Sequence, residues 1–584
     1  MASSRAPDIR RPAVWALIAW LTCCAVMLWL FRADYAALSF KDPDDAMRLA
    51  QVRDWIGGQA FWDVSQHRIN PPYGGPMHWS RVVDMPIAAL ILMLRPLLGG
   101  AGAELAALIL TPLLLLGGTV AALFVSARRL AGERIALGAV VLLCATPTIL
   151  VQFTPLRIDH HSWQILLATV ALAGALDSCA RRGGIVAGFA IALWLQISSE
   201  ALPYAGLFGA IFALRHWIAR DETPRFIAYA VTLGGSALPL LVLLRGPDAA
   251  LARYCDALSA AYVWPLALMA GTVALSARLI GLRSAPRRLT VAMLGGGAAL
   301  ALFAITGGPC LTGDPFAALG PVAYRLWYLQ VMEGRPVWEQ SRALQGVILL
   351  PALMGMATTL IAACRAQGGT RARWLVAAAL LMGATAVSVM VMRALSVAHV
   401  FALPGIAWAI LSAFRHAQAD SRAAVRVLGS VALVLLTPVG VCSAWAAVTA
   451  KDDAGKSAVN CRAAHVIAPL RALPPATLFA PLDMGPDILV QTRHRVIGTA
   501  HHRNAVGITA VIDGFVDAPD AARGVIGGTS AAYVVTCDGL SEMRGYAREN
   551  PRGLAAMLAQ GRAPAWMEPM PVKAPLQLYR IRPE

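Results

Sequence analysis

Asp42, Asp44 and Asp45 stand within four residues of one another in Lys41-Asp42-Pro43-Asp44-Asp45-Ala46-Met47-Arg48, just past an apolar run from Val14 to Phe31. Carboxylates this close repel one another unless a divalent cation or the N-terminus of a helix takes up their charge. Two readings stay open. Asp42 and Asp44 cap a helix running through Val52 to Trp55, or they ligate a metal, and one Asp can do both. A second group, Arg157-Ile158-Asp159-His160-His161, fills a short link between two apolar runs. Its mixed oxygen and nitrogen donors suit Mn²⁺ or another first-row ion better than Ca²⁺, and the alternative is a solvated turn at the membrane interface. Glu333, in Val331-Met332-Glu333-Gly334-Arg335-Pro336, adds a carboxylate to a long loop, and Arg393 closes an apolar run. An Arg at that depth either snorkels to the interface or pairs with an anion such as a lipid phosphate. Together these residues suit chemistry on a lipid-linked phosphate. A metal neutralises the leaving phosphate while a carboxylate orients or deprotonates the attacking group.

The elements that must position these residues are membrane helices. The chain has 584 residues, 58% apolar and 14% charged, whereas a soluble domain carries roughly 25% charged residues. The net charge of +17 lies mostly in short loops between apolar runs, so it sets orientation and attracts anionic head groups rather than nucleic acid. With a cytoplasmic N-terminus, the inner loops hold the Arg clusters 128–134, 181–182, 215–225, 278–288, 365–373 and 415–426. The short outer loops hold only Arg157, Arg245, Arg253 and Arg393. This asymmetry requires that Pro86 to Leu98, short and containing Arg95, is an interfacial or re-entrant helix rather than a crossing. Thirteen crossings follow, at 14–31, 104–125, 135–151, 163–176, 185–197, 201–214, 226–244, 258–277, 289–305, 344–363, 374–392, 397–414 and 427–448. The first follows Arg5, Arg10 and Arg11 like a signal peptide, but without a small-residue cleavage site it reads as a retained helix.

The expected organisation is therefore a polytopic α-helical membrane domain over 1–450, with large external loops 32–83 and 307–342, and a soluble α/β domain over 451–584. The tail loses the membrane signal and shows strand-like runs at Thr477–Phe479, Val496–Gly498, Ala532–Thr536 and Leu576–Ile581. Of ten cysteines, Cys255, Cys310, Cys461 and Cys537 fall on the outer face, where Cys461 and Cys537 can pair; sequence does not decide it.

The order of these motifs resembles the oligosaccharyltransferase catalytic subunits, a branch of the GT-C glycosyltransferases, and especially the archaeal single-subunit enzymes. Asp42-Pro43 with Arg48 six residues after the Asp is similar to that family's first motif, which implies that Asp42 is the metal-binding catalytic carboxylate, with Asp44 the alternative in a shifted register. Pro72-Tyr73-Gly74-Gly75-Pro76-Met77-His78-Trp79 followed by Asp84 resembles a run in archaeal first loops, and Asp159-His160-His161 resembles the second motif, which implies Asp159 and His161 as ligands. The resemblance makes Glu333 the acceptor- or metal-site carboxylate of the fifth external loop and Arg393, with Pro404 downstream, the contact to the donor phosphate. It implies a Mn²⁺- or Mg²⁺-dependent inverting transferase that takes a sugar or oligosaccharide from a polyprenyl phosphate or diphosphate. The acceptor would be a glycan, lipid or protein at the periplasmic face of a bacterial inner membrane. The family's WWDYG motif is replaced here by Pro481-Leu482-Asp483-Met484-Gly485, without the aromatic pair that reads a protein sequon. Asp483, and His502 and Arg503 in His501-His502-Arg503-Asn504, are candidate acceptor contacts. The rival enzyme is a polyprenyl-phosphate-monosaccharide transferase modifying lipid A or another glycan. A transporter or flippase would instead bury ionisable groups near the midplane of its spans, which here hold almost no Asp or Glu.

Overall fold

The computed structural model describes residues 12–311, 319–449 and 460–583, so Arg5, Arg10 and Arg11 and the start of the tail lie outside the described residues. Every expected crossing falls on a helix or on a bent pair of helices. Among the described residues, eight helices are long and apolar enough to cross a membrane, and ten segments qualify if each bent pair is one span. The bent pairs are Glu133–Leu143 with Pro147–Phe153, at 68°, and Ala423–Leu436 with Pro438–Thr449, at 77°. The remaining three expected crossings are His161–Ala175, of 15 residues, and Ala180–Ile197 and Ala201–Ile218, of 18 residues each. They fall short of the eight by length or polarity, since about 20 apolar residues are needed to span. The count of thirteen is thus not reached on length and composition.

The 84–98 stretch is helical, as expected, and the helix Asp84–Ala131 breaks just after it, at Gly99, where φ is +69°. Only glycine takes that backbone conformation without strain, so the break is written into the residue type. Elsewhere glycine permits close helix packing. Ala180–Ile197 lies against Thr223–Arg245 through Gly184 and Gly188, where an added Cβ would meet the Arg225 and Tyr229 carbonyl oxygens.

Arginines that the sequence assigns to one side meet around Asp177. Arg129 and Arg182 pair with Asp177 at 2.7 and 2.8 Å, while Arg225 donates to the Asp177 carbonyl and Arg215 to that of Ala175. Arginines from separate loops assigned to one side therefore gather at one turn. Residues assigned to the other side gather at the opposite ends of the same helices.

The tail forms the expected α/β domain, with a five-stranded sheet ordered β2-β1-β3-β5-β4. The strands are β1 (Thr477–Phe479), β2 (Arg495–Val496), β3 (Tyr533–Cys537), β4 (Met567–Pro569) and β5 (Leu576–Ile581). β1 is parallel to β2 and β3, whereas β5 is antiparallel to β3 and β4. The 32–83 segment joins this sheet at the β2 edge: Ile69 bridges Val496 in parallel, Asn70 N–H donates to the Val496 carbonyl at 2.8 Å, and Val496 N–H donates to that of Arg68 at 2.9 Å. Disulfides link Cys461 to Cys537 and Cys255 to Cys310. The second pairing was not anticipated, because the two cysteines lie in different loops.

Candidate active site

Asp42 is the N-cap of the helix Pro43–Ile56: it accepts the Asp44 N–H at 3.0 Å, and proline occupies the first helical position. Its other oxygen pairs with Arg157 at 2.6 Å. Asp45, one turn in, is 1% exposed and does a different job. Its Oδ1 accepts the backbone N–H groups of both Ile158 and Asp159 at 2.9 Å, and its Oδ2 accepts from Arg157 at 3.0 Å. Burial pushes the Asp45 carboxyl up to about 7, against the pull of Arg157. The three neighbouring carboxylates are thus separated in role by helix geometry, since Asp44 points to His501, whose Nε2 lies 3.2 Å from it. His501 comes from the C-terminal domain and packs edge-on against Trp79.

Asp159 is held from two sides. His160 Nδ1 lies 2.6 Å and Arg48 Nη2 3.4 Å from its Oδ1. Arg48 also pairs with Asp84 at 3.0 Å and covers the Trp79 ring at 4.0 Å, and Arg81 pairs with Asp84 at 3.1 Å. Burial works to raise the Asp159 carboxyl, but His160, His161 and Arg48 outweigh it and hold it well below the usual carboxylate range. Its Oδ2 is buried without a hydrogen bond, 3.5 Å from His161 Nε2. An orphaned carboxylate oxygen beside imidazoles fits a divalent cation, and the ligand atoms of Asp159, His160 and His161 all lie within 4.8 Å of one another. Asp42, expected as their companion ligand, does not join that group. Its cap bond and its ion pair with Arg157 occupy both oxygens.

Arg393 meets two carboxylates: Glu200 at 2.5 Å and Glu333 at 3.5 Å. Burial pushes the Glu333 carboxyl up to about 7, although part of the side chain stays exposed. Burial would raise Glu200 too, but Arg393, with His160, holds it below its ordinary value. Glu200 had no sequence signal beyond its residue type, and Asp45 and Arg157 were marked only as members of their clusters, not by the bond between them. A cavity of about 80 Å³ opens here, its walls including Ile165, Trp194, Val387 and Val391, with His161, Glu200 and Arg393 among its polar lining. Membrane helices therefore bring an apolar chamber to a guanidinium beside the Asp159 cluster.

The candidate acceptor contacts are placed differently. Arg503 grips Asp256 with Nε at 2.8 Å and Nη2 at 2.9 Å, and His502 Nε2 lies 2.7 Å from the same carboxylate. Burial works to raise the Asp256 carboxyl, but these bonds hold it well below the usual range. His502 and Arg503 thus latch the C-terminal domain to the 246–259 loop, and His501 is the member of the run that reaches the Asp42–Asp45 turn. Asp483 sits on a turn whose backbone is fixed by Glu542, which accepts the Leu482 and Asp483 N–H groups at 2.7 and 3.0 Å. One further acid follows it four residues on: Asp487 is fully buried with neither oxygen hydrogen-bonded, and burial pushes it up to about 7.

No protein-family model and no curated protein matches this sequence. Solved structures do match. The archaeal oligosaccharyltransferase AglB from Archaeoglobus fulgidus, in complex with an inhibitory peptide and a dolichol-phosphate, superposes with a TM-score of 0.65 at 14% identity, covering 95% of this chain and 72% of that one. The Archaeoglobus fulgidus oligosaccharyltransferase tethered to an acceptor peptide containing the NVT sequon gives 0.61 at 14% identity, over 94% and 72% of the two chains. The same enzyme in complex with Zn and sulfate gives 0.57 at 13% identity, over 97% and 73%. The chain therefore shares its fold with these archaeal oligosaccharyltransferase structures.

Proposed function

We propose that this protein is a membrane glycosyltransferase that moves a sugar or oligosaccharide from a polyprenyl phosphate or diphosphate to an acceptor at the periplasmic face of a bacterial inner membrane. The observation that carries this reading is the apolar cavity that holds Arg393, Glu200 and His161 beside the buried Asp159. A lipid-linked phosphate needs an apolar approach and a cation at its end, and both meet here. The shared fold, and the dolichol-phosphate and Zn in the structures of the archaeal enzyme, support it further.

In this reading Arg393 binds the donor phosphate. The acceptor's nucleophilic atom attacks the anomeric carbon from the face opposite the phosphate, the bond from that carbon to the phosphate oxygen breaks with its electron pair, and configuration inverts. Glu333, with its carboxyl pushed up to about 7, orients the acceptor and takes its proton. Asp159 and His161 would hold Mn²⁺ or Mg²⁺. That ion supplies positive charge for the departing phosphate. The acceptor is better read as a glycan or lipid, as in a monosaccharide transferase, than as a protein sequon. Pro481, Leu482 and Met484 are buried, and no aromatic pair accompanies Asp483.

The test is a deletion strain complemented with Asp159→Ala, Glu333→Ala or Arg393→Ala at matched protein levels, with its surface glycans, lipid A and donor lipids read by mass spectrometry. Loss of one glycan with accumulation of one polyprenyl-linked sugar is expected in all three. Unchanged glycans and donor lipids in the deletion itself would overturn the reading.

A further inference from the structure

At the end of the molecule opposite the Asp159 cluster, a groove of about 440 Å³ runs between the helices Ala180–Ile197 and Thr223–Arg245. Its floor and walls are Ile185, Ile227, Ala228 and Val231, with Arg181 and Thr223 at one end. Both helices begin at that end. Part of the apolar lining lies on a helix long and apolar enough to cross a membrane, and Ile185 and Val231 are exposed to the surroundings.

The charge at this end is unbalanced. Asp177 is met by Arg129 and Arg182, and Glu222 by Arg215 and Arg225. Asp221 is the remaining carboxylate in the 215–225 turn, so six guanidinium groups, counting Arg181 and Arg220, face three carboxylates. Arg181 is exposed and takes part in none of those ion pairs. A guanidinium above a greasy slot, part of it on a helix able to cross a membrane, matches one chemistry, a phosphate carried on acyl chains.

We propose that this groove is a binding site for an anionic glycerophospholipid, its phosphate on Arg181 and one acyl chain along Ile185, Ile227 and Val231. The lipid steadies the packing of the two helices whose far ends carry Glu200 and Arg245, and it does so independently of the transferase reading. Commitment to a phospholipid rather than free phosphate follows from the apolar length of the slot, which inorganic phosphate does not use.

The experiment is native mass spectrometry of the full-length protein released from mixed micelles containing equimolar phosphatidylglycerol and phosphatidylcholine. Retention of phosphatidylglycerol over phosphatidylcholine is expected in the wild type and should fall roughly fivefold in Arg181→Ala. Arg283→Ala, which removes an exposed Arg outside the groove lining, should leave the ratio unchanged, and Ile185→Trp, which fills the slot, should lower it. Equal retention of both lipids by the wild type overturns the proposal. So does an equal loss in Arg181→Ala and Arg283→Ala, which would mean diffuse surface charge, or competition by inorganic phosphate as effective as by the lipid.

Discussion

One oxygen of Asp45 accepts the backbone N–H of Asp159 at 2.9 Å, and the same oxygen accepts that of Ile158 at 2.9 Å. The carboxylate of one segment thereby fixes the backbone that presents the candidate ligands of another. Asp45→Ala leaves two buried N–H groups unpaired, at about 1–3 kcal/mol each. A fall in thermal unfolding temperature in detergent is expected, with loss of transfer. Asp45→Asn keeps an acceptor oxygen and should recover much of the stability. Equal unfolding temperatures for wild type and Asp45→Ala would remove this role.

Glu200 and Arg393 lie 2.5 Å apart on the cavity wall. Glu200→Gln loosens the guanidinium without removing it, so the donor KM should rise while the acceptor KM holds. Arg393→Ala should cost about 100-fold in kcat/KM for the donor. Steady-state kinetics with varied donor separate the two effects, and an unchanged donor KM in both variants would argue against phosphate binding here.

Asp256 joins His502 and Arg503 across the interface between loop 246–259 and the C-terminal domain. A double-mutant cycle on Asp256→Ala and Arg503→Ala should give a coupling of about 1–3 kcal/mol, because each partner is satisfied by the other. Chemical denaturation measures it. Additive losses would mean the latch is not formed in solution.

Asp487 sets a pH dependence. Its carboxyl is pushed up to about 7 by burial, with Arg462 opposing and Asp45, Asp483 and Asp42 adding to the rise. Between its unfolded value, near 4, and about 7 the folded chain binds more protons than the unfolded one, so stability falls as pH rises through that window and levels off above it. The slope should approach about 1.4 kcal/mol per pH unit at most. Asp487→Asn should flatten it, and unfolding curves at pH 5, 6, 7 and 8 would check this; an unchanged slope in the variant would assign the dependence elsewhere.

Peptide mapping without reduction should recover the pairs Cys255–Cys310 and Cys461–Cys537. Recovery of free thiols at all four positions from membranes would instead place these loops in a reducing compartment.

Much of the site was legible because membrane insertion writes itself locally. Apolar length and Arg asymmetry depend on nearby residues alone, so Asp42, Asp159, Glu333 and Arg393 could be assigned to one side before any packing was known. Helix capping at Asp42 is likewise a short-range property, as the Asp-Pro pair announces a helix start. The α/β tail was readable for the same reason, with β4 escaping because its three residues carry too little pattern.

What only the tertiary structure decided is which side chain faces which. Asp42, Asp44 and Asp45 look equivalent in sequence, yet successive helical positions project about 100° apart, sending one to Arg157, one to His501 and one to the Asp159 backbone. Glu200 beside Arg393, and Asp256 beside His502 and Arg503, join residues 193, 246 and 247 positions apart. No local rule reaches across such separations, and the pairs exist because packed helices and the docked domain bring those groups together.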